Sequence, residues 1–138
     1  MTAQDPPDVL VVDAANVVGS RPDGWWTDRV GAAERLLAGL VGVDHTSLSA
    51  GRIVVVLEGR AKAAAPCGVP GLELVRAEQD GDSAVVDVVR ASGGAVVVTS
   101  DRELRRRVEE LGARVRGAGW LRALLDGGPP DRTDPGER

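Results

Sequence analysis

The sequence contains no phenylalanine and no tyrosine, and its three tryptophans are the only aromatic residues. A core must therefore be built from valine, leucine, isoleucine and alanine, a choice whose β-branched members favour strands. A single cysteine, Cys67, excludes an intramolecular disulfide and offers too few thiolates for a cysteine-based zinc or iron–sulfur site. Its expected role is structural or incidental. The only histidine, His45, falls in an expected loop with no second nitrogen or sulfur ligand nearby, which argues against zinc and for a surface position. Excess positive charge is also missing. With a formal net charge of -4 and a pI near 5.0, the chain cannot grip nucleic acid along its whole surface, and any such contact must be local. No apolar run approaches the roughly 20 residues a membrane helix requires. Met1 to Pro7 lacks the basic stretch and apolar run of a signal peptide, so the expected location is the cytoplasm. No Gly-Xaa-Ser-Xaa-Gly elbow surrounds a serine and no glycine-rich loop ends in Gly-Lys-Ser/Thr, which removes two common hydrolase designs.

What remains is a valine-rich chain of 138 residues, 43% hydrophobic and 28% charged, the size of one domain with a real core. Apolar runs at Val9–Val12, Ile53–Leu57 and Ala95–Val98 read as strands buried on both faces, with weaker strands at Leu72–Val75 and Ala113–Val115. Helical spacing occupies Thr27–Val41, Ser83–Ala91, Arg102–Leu111 and a short stretch at Trp120–Leu125. The alternation predicts an α/β fold: one domain over residues 1–126 with a mainly parallel central sheet flanked by helices. Asp82 or Ser83 is expected to cap the second of these helices, Gly93-Gly94 to stop it, and Gly112 to stop the third. Residues 127–138 carry Pro129, Pro130 and Pro135 among charges and glycines, with nothing apolar after Leu125, and are expected to form a disordered tail.

The acids fall at informative places. Asp13 ends the first strand and Asp101 follows the fourth, and in an open parallel sheet the ligand crevice lies beyond the carboxyl ends of the strands. Glu58 takes the same place after Ile53–Leu57, and Asp82 starts the helix that precedes Ala95–Val98. Singly, Asp82 can be a helix cap, Asp101 a first-turn acid and Glu58 a solvated loop residue. Asp13, directly after four apolar residues, is partly buried on this reading and needs a partner. Together the four suggest a shared site, and crowded carboxylates are relieved by a hard, oxygen-seeking cation, so Mg2+ or Mn2+ is the expected cofactor.

Three blocks sharpen this: Val11-Val12-Asp13-Ala14-Ala15-Asn16-Val17-Val18-Gly19, Gly81-Asp82-Ser83-Ala84-Val85-Val86 and Val97-Val98-Thr99-Ser100-Asp101-Arg102-Glu103-Leu104. Their order and spacing resemble the NYN-domain branch of the PIN-like ribonucleases. The first block is similar to that branch's Asp-Gly-Xaa-Asn signature, with Ala14 where glycine is usual, and the third to its Thr-Ser-Asp block. In the middle block Asp82 is followed by Ser83, where those families often show a second acid. The resemblance spans about Val9 to Leu125. It implies a PIN-like domain and a metal-dependent ribonuclease in which Asp13, Asp82 and Asp101 hold metal and Asn16 orients the site. Glu58 is a metal candidate by position alone.

RNA is accordingly the expected partner, with Arg21, Trp25, Arg29, Ser100 and Arg102 as candidate contacts. Arg60, Lys62 and Arg105 are expected near the same edge, although the run Arg105-Arg106-Arg107 reads equally well as a solvated helix face. Trp25-Trp26 can stack on unpaired bases or bury against the first helix, whereas Trp120 reads as core. Two other functions stay open: a phosphohydrolase acting on a nucleotide or small phosphate, and a catalytically weak RNA- or protein-binding module. The first is disfavoured in its aspartyl-phosphate form, because position 15 is Ala15 rather than a second acid. The oligomeric state is open, a homodimer being one option.

Overall fold

A computed structural model describes residues 8–20, 24–42, 50–65, 71–92 and 94–127. Arg21, His45, Cys67, Gly93 and the expected tail beyond Gly127 lie outside the described residues. The chain runs β1 (Asp8–Asp13), α1 (Ala14–Gly19), α2 (Arg29–Gly42), β2 (Ala50–Leu57), β3 (Leu72–Arg76), α3 (Gly81–Ser92), β4 (Ala95–Val98), α4 (Arg102–Glu109), β5 (Arg114–Arg116) and α5 (Ala118–Leu125). Short 3-10 turns occupy Trp25–Thr27 and Gly59–Ala63.

The strands form one sheet in the order β3-β2-β1-β4-β5, and every neighbouring pair is parallel. Val12 is opposite Val55 on one side and Val98 on the other, so β1 is the middle strand and its apolar run is buried. The chain builds outward from β1 through β2 to β3, then returns to start β4 on β1's other side. That reversal of direction opens a crevice beyond the carboxyl ends of β1 and β4.

Alternation along each strand divides the core into two layers. Leu10, Val12, Ile53, Val55, Leu57, Val96 and Val98 pack with α1, α2 and α5, where Leu36, Leu37, Leu40, Trp120 and Leu121 are buried. Val9, Val11, Val54, Val56 and Val97 pack with Val85, Val86 and Val89 of α3 and Leu104 and Val108 of α4. Trp120 is core, as its sequence context predicts.

One helix is added and two local expectations change. Ala14–Gly19 is helical, capped by Asp13, whose Oδ1 accepts from the Asn16 N–H. Neither Asp82 nor Ser83 caps α3: Asp80 does, its Oδ1 accepting from the Ser83 N–H at 2.7 Å, so the helix begins two residues earlier. The first long helix starts at Arg29 rather than Thr27, because the preceding Trp25–Thr27 segment winds as a 3-10 turn. Gly112 ends the helical segment as expected, at φ 90°, a left-handed conformation that favours glycine. At the far end of α1, the Arg122 guanidinium donates to the carbonyls of Val17 and Val18 at 2.8 and 3.1 Å, tying α5 to a helix end that would otherwise expose them.

Candidate active site

The acids reach one crevice because of the two-residue period of the strands. Continuing Val9 and Val11 by one step gives Asp13, continuing Val54 and Val56 gives Glu58, and continuing Val97 gives Thr99. All three project toward the layer that holds α3 and α4. The N-terminal turn of α3 meets them there: the Gly81 N–H donates to Glu58 Oε1 at 2.8 Å. Glu58 therefore anchors that helix end, and a negative charge is well placed at a helix N-terminus. Glycine is what leaves the space, since a Cβ on Gly81 would fall 2.1 Å from that oxygen.

Asp13 is buried, at 5% exposure, and is embedded in a connected hydrogen-bond chain. Thr99 Oγ1 donates to Asp13 Oδ2 at 3.0 Å and accepts from the Asp101 N–H at 3.1 Å. Asn16 Oδ1 accepts from the Ser100 N–H at 2.7 Å. Ser100 Oγ in turn accepts from the Ala118 N–H at 2.9 Å, where α5 starts without a capping side chain of its own. Asp101 caps α4 through Oδ1, which accepts from the Leu104 N–H at 3.0 Å. The 99–101 loop is thus held from β1, α1, α4 and α5 at once.

Electrostatics follow from this placement. Burial pushes the Asp13 carboxyl up to about 6, against bonds from Thr99 and Asn16 that favour its charged form, and the nearby Asp82 and Glu58 push the same way as burial. Asp82, half-buried, is also raised, first by burial and then by Asp101, Asp80 and Glu58; Arg107 opposes this. The four sequence candidates Asp13, Glu58, Asp82 and Asp101 therefore act on one another through space. Among the described residues, however, no three His, Cys, Asp or Glu side chains converge closely enough to hold a metal ion directly.

The other candidates separate. Arg29 sits over the Trp25 ring, its guanidinium carbon 5.1 Å from the centroid. Arg102 is exposed at the start of α4, immediately beside Asp101. Arg106 is occupied by Glu103 and Glu110 at 2.6 and 2.7 Å, which agrees with the solvated reading for that member of the run. Two residues were missed. Thr99, which joins Asp13 to Asp101, was signalled by its alternation with Val97. Arg107, which acts on Asp80 and Asp82, lies three residues after buried Leu104 and so on the inward flank of α4.

No family model matches the chain, and no curated protein matches it in sequence. Its fold is similar to that of a tryptophan-to-leucine mutant of Rae1 (YacP) from Bacillus subtilis, seen in a crystal structure. The TM-score is 0.64 at 19% identity, with 87% of this chain and 75% of that chain covered. That likeness supports a relationship at the level of fold, a single α/β domain consistent with the PIN-like architecture. Among the described residues no helix is long and apolar enough to cross a membrane.

Proposed function

We propose that the chain is a metal-dependent ribonuclease that hydrolyses RNA phosphodiester bonds in the crevice beyond β1 and β4. The observation that carries this reading is the buried Asp13, pushed up to about 6 and facing Asp82 and Glu58 at the sheet's change of direction. Perturbed carboxylates in a cleft mark functional sites. The resemblance of the three sequence blocks to the NYN branch points to Asp13 and Asp82 as well, together with Asp101.

The donor set suits Mg2+ or Mn2+, which take oxygen ligands. The wide spacing of the acids fits an ion that keeps part of its water shell, as Mg2+ usually does. Asp13, Asp82 and Asp101 would hold it, with Glu58 adding negative charge from the end of the neighbouring strand β2. When bound, such an ion supplies water activation at neutral pH and neutralises charge on the phosphate. This chain's own residues do the positioning. Asn16 and Thr99 fix the loop that carries Asp101, and Arg102 and Arg107 offer cations beside an otherwise acidic crevice. The same wide spacing also favours a second reading, an RNA-binding module with little catalytic power.

The deciding experiment incubates purified protein with structured and unstructured RNA in manganese, magnesium or chelator. We expect metal-dependent cleavage that Asp101→Asn abolishes, because the residue would help hold the ion that activates water. Asparagine caps helices as well as aspartate does, so α4 and the fold should survive this change. RNA binding should persist or strengthen as negative charge is removed. Binding without cleavage in wild type would favour the module, and undiminished cleavage by Asp101→Asn would overturn the assigned mechanism.

A further inference from the structure

Beside the acid crevice, on the other side of Glu58, is a recess of about 180 Å³ whose lining includes Ala14, Ala15, Trp25, Arg29, Glu58 and Gly59. Its walls come from the start of α1, the Trp25–Thr27 turn, the first turn of α2 and the turn after β2. It is below the roughly 300 Å³ at which pockets for drug-sized ligands begin, and suits one planar ring system. Ala14 follows Asp13 directly in the chain, and Glu58 belongs to both the recess and the acid group. The recess is therefore contiguous with the proposed cutting site.

From this geometry we infer that the recess receives one unpaired nucleobase of the RNA strand, next to the phosphate presented to the acids. The inference rests on the ribonuclease reading for its substrate and goes beyond it in naming a base subsite. Three features point to a nucleotide. Trp25 is half-buried in the lining, and its indole with the Arg29 guanidinium over one face makes a flat pair against which any base can stack. Arg29 places a cation 5.1 Å from that ring, where the sugar-phosphate chain leaving a stacked base can meet it. The alanines at positions 14 and 15 keep the recess open, because larger side chains on α1 would fill the space. Trp26, by contrast, is 54% exposed, meets Trp25 edge to face with centroids 6.0 Å apart, and is absent from the lining.

The subsite requires the base to be out of a duplex, since a paired and stacked base cannot enter a recess of this size. Unpaired RNA is the preferred substrate, and base recognition is separable from metal chemistry.

The test uses the full chain in chelator, so that binding is read without cleavage. The ligands are a short single-stranded oligoadenylate and the same ribose-phosphate chain lacking bases. Wild type should bind the oligoadenylate more tightly, and Trp25→Ala should weaken that binding by roughly 5- to 150-fold, the range for loss of one stacked base. Binding of the base-free chain should be unchanged. Ala15→Leu, which fills the recess from an exposed helix position, should give the same selective loss, whereas Trp26→Ala should not. If Trp25→Ala does not fold, Ala15→Leu decides. Equal binding of the two ligands by wild type, or retained discrimination in Ala15→Leu, would overturn the base subsite. A parallel cleavage assay in manganese reports on the ribonuclease reading alone: discrimination without cleavage preserves the subsite and rejects the nuclease, and cleavage without discrimination does the reverse.

Discussion

The two faces of the sheet are built from the same strands and are put to different uses. On the face covered by α1, α2 and α5, the strand residues include Leu10, Ile53 and Leu57, and the alternation stays apolar to the strand ends at Val12, Leu57 and Val98. On the face covered by α3 and α4, the strand contribution is valine and alanine, and the alternation runs on into Asp13, Glu58 and Thr99. Bulk on the first face supplies burial. The second face gives up part of that burial to place carboxylates at a fixed height in a partly dry crevice. Within one strand, a shift of one residue decides which task a side chain performs.

The largest effect on stability should therefore come from the first face. Leu10 is fully buried, and Leu10→Ala should destabilise by about 2–5 kcal/mol, the range for such truncations in packed cores. Val11→Ala, its equally buried neighbour on the other face, should cost about 1.5–3 kcal/mol, because fewer methyl groups are removed. Urea unfolding of the two variants checks this difference. A Val11→Ala variant as damaged as Leu10→Ala would break the division of labour between the faces.

The second prediction concerns the cost of the carboxylates. Burial raises Asp13 from 3.8 to about 6, so the folded state holds its proton more tightly than the unfolded chain does. Stability from this group is fully present below about pH 4, and is lost as the pH rises through about 6. At pH 7 the charged Asp13 should therefore destabilise the fold by something on the order of 2–3 kcal/mol. Asp13→Asn should melt higher than wild type at pH 7, the advantage disappearing toward pH 4, while losing its activity in the RNA assay. Thermal melts across that pH interval provide the test, and an advantage independent of pH would show that charge is not its source.

The layout of strands and helices was legible because valine runs, helical spacing and glycine stops repeat along the chain. Asp13 and Asp101 were legible for the same reason, since a strand end locates its last residue in an open parallel sheet. Other features depend on partners far away in sequence. Asp80, Asp82 and Ser83 are all acceptable caps within four positions, and nothing local shows that Glu58, 23 residues upstream of Gly81, fixes where α3 begins. Ala14–Gly19 is six residues long and carries Val17-Val18, a pair that by itself favours a strand. Its helical state follows from the Asp13 cap and from Arg122 at its far end, 105 residues from Val17. Nor does anything local show that the hydroxyl oxygen of Ser100, a candidate for substrate contact, receives the first N–H of α5.

The smallest effect separates the two jobs of Thr99, and sharpens the contrast between the faces at one atom. Its hydroxyl donates to Asp13 Oδ2 and accepts from the Asp101 N–H, at a position with no exposure to solvent. Thr99→Val keeps the shape and removes both bonds, so the change isolates polarity from packing. Leaving buried polar groups without partners should cost about 1–3 kcal/mol. The loss should not be uniform in pH. The Thr99 bond is the strongest influence holding Asp13 down against burial, so its removal should push that carboxyl higher still. Below about pH 4, where Asp13 is protonated in both the folded and the unfolded chain, only the Asp101 N–H and a neutral carboxyl lose a partner. Above the folded value near 6, an ionised carboxylate loses its closest donor as well. The stability gap between wild type and Thr99→Val should widen as the pH rises from 4 to 7, as read by urea unfolding at both ends. A gap of equal size at the two pH values would mean that the hydroxyl serves the loop and not the charge, and that Asp13 is held in place by burial and Asn16 alone.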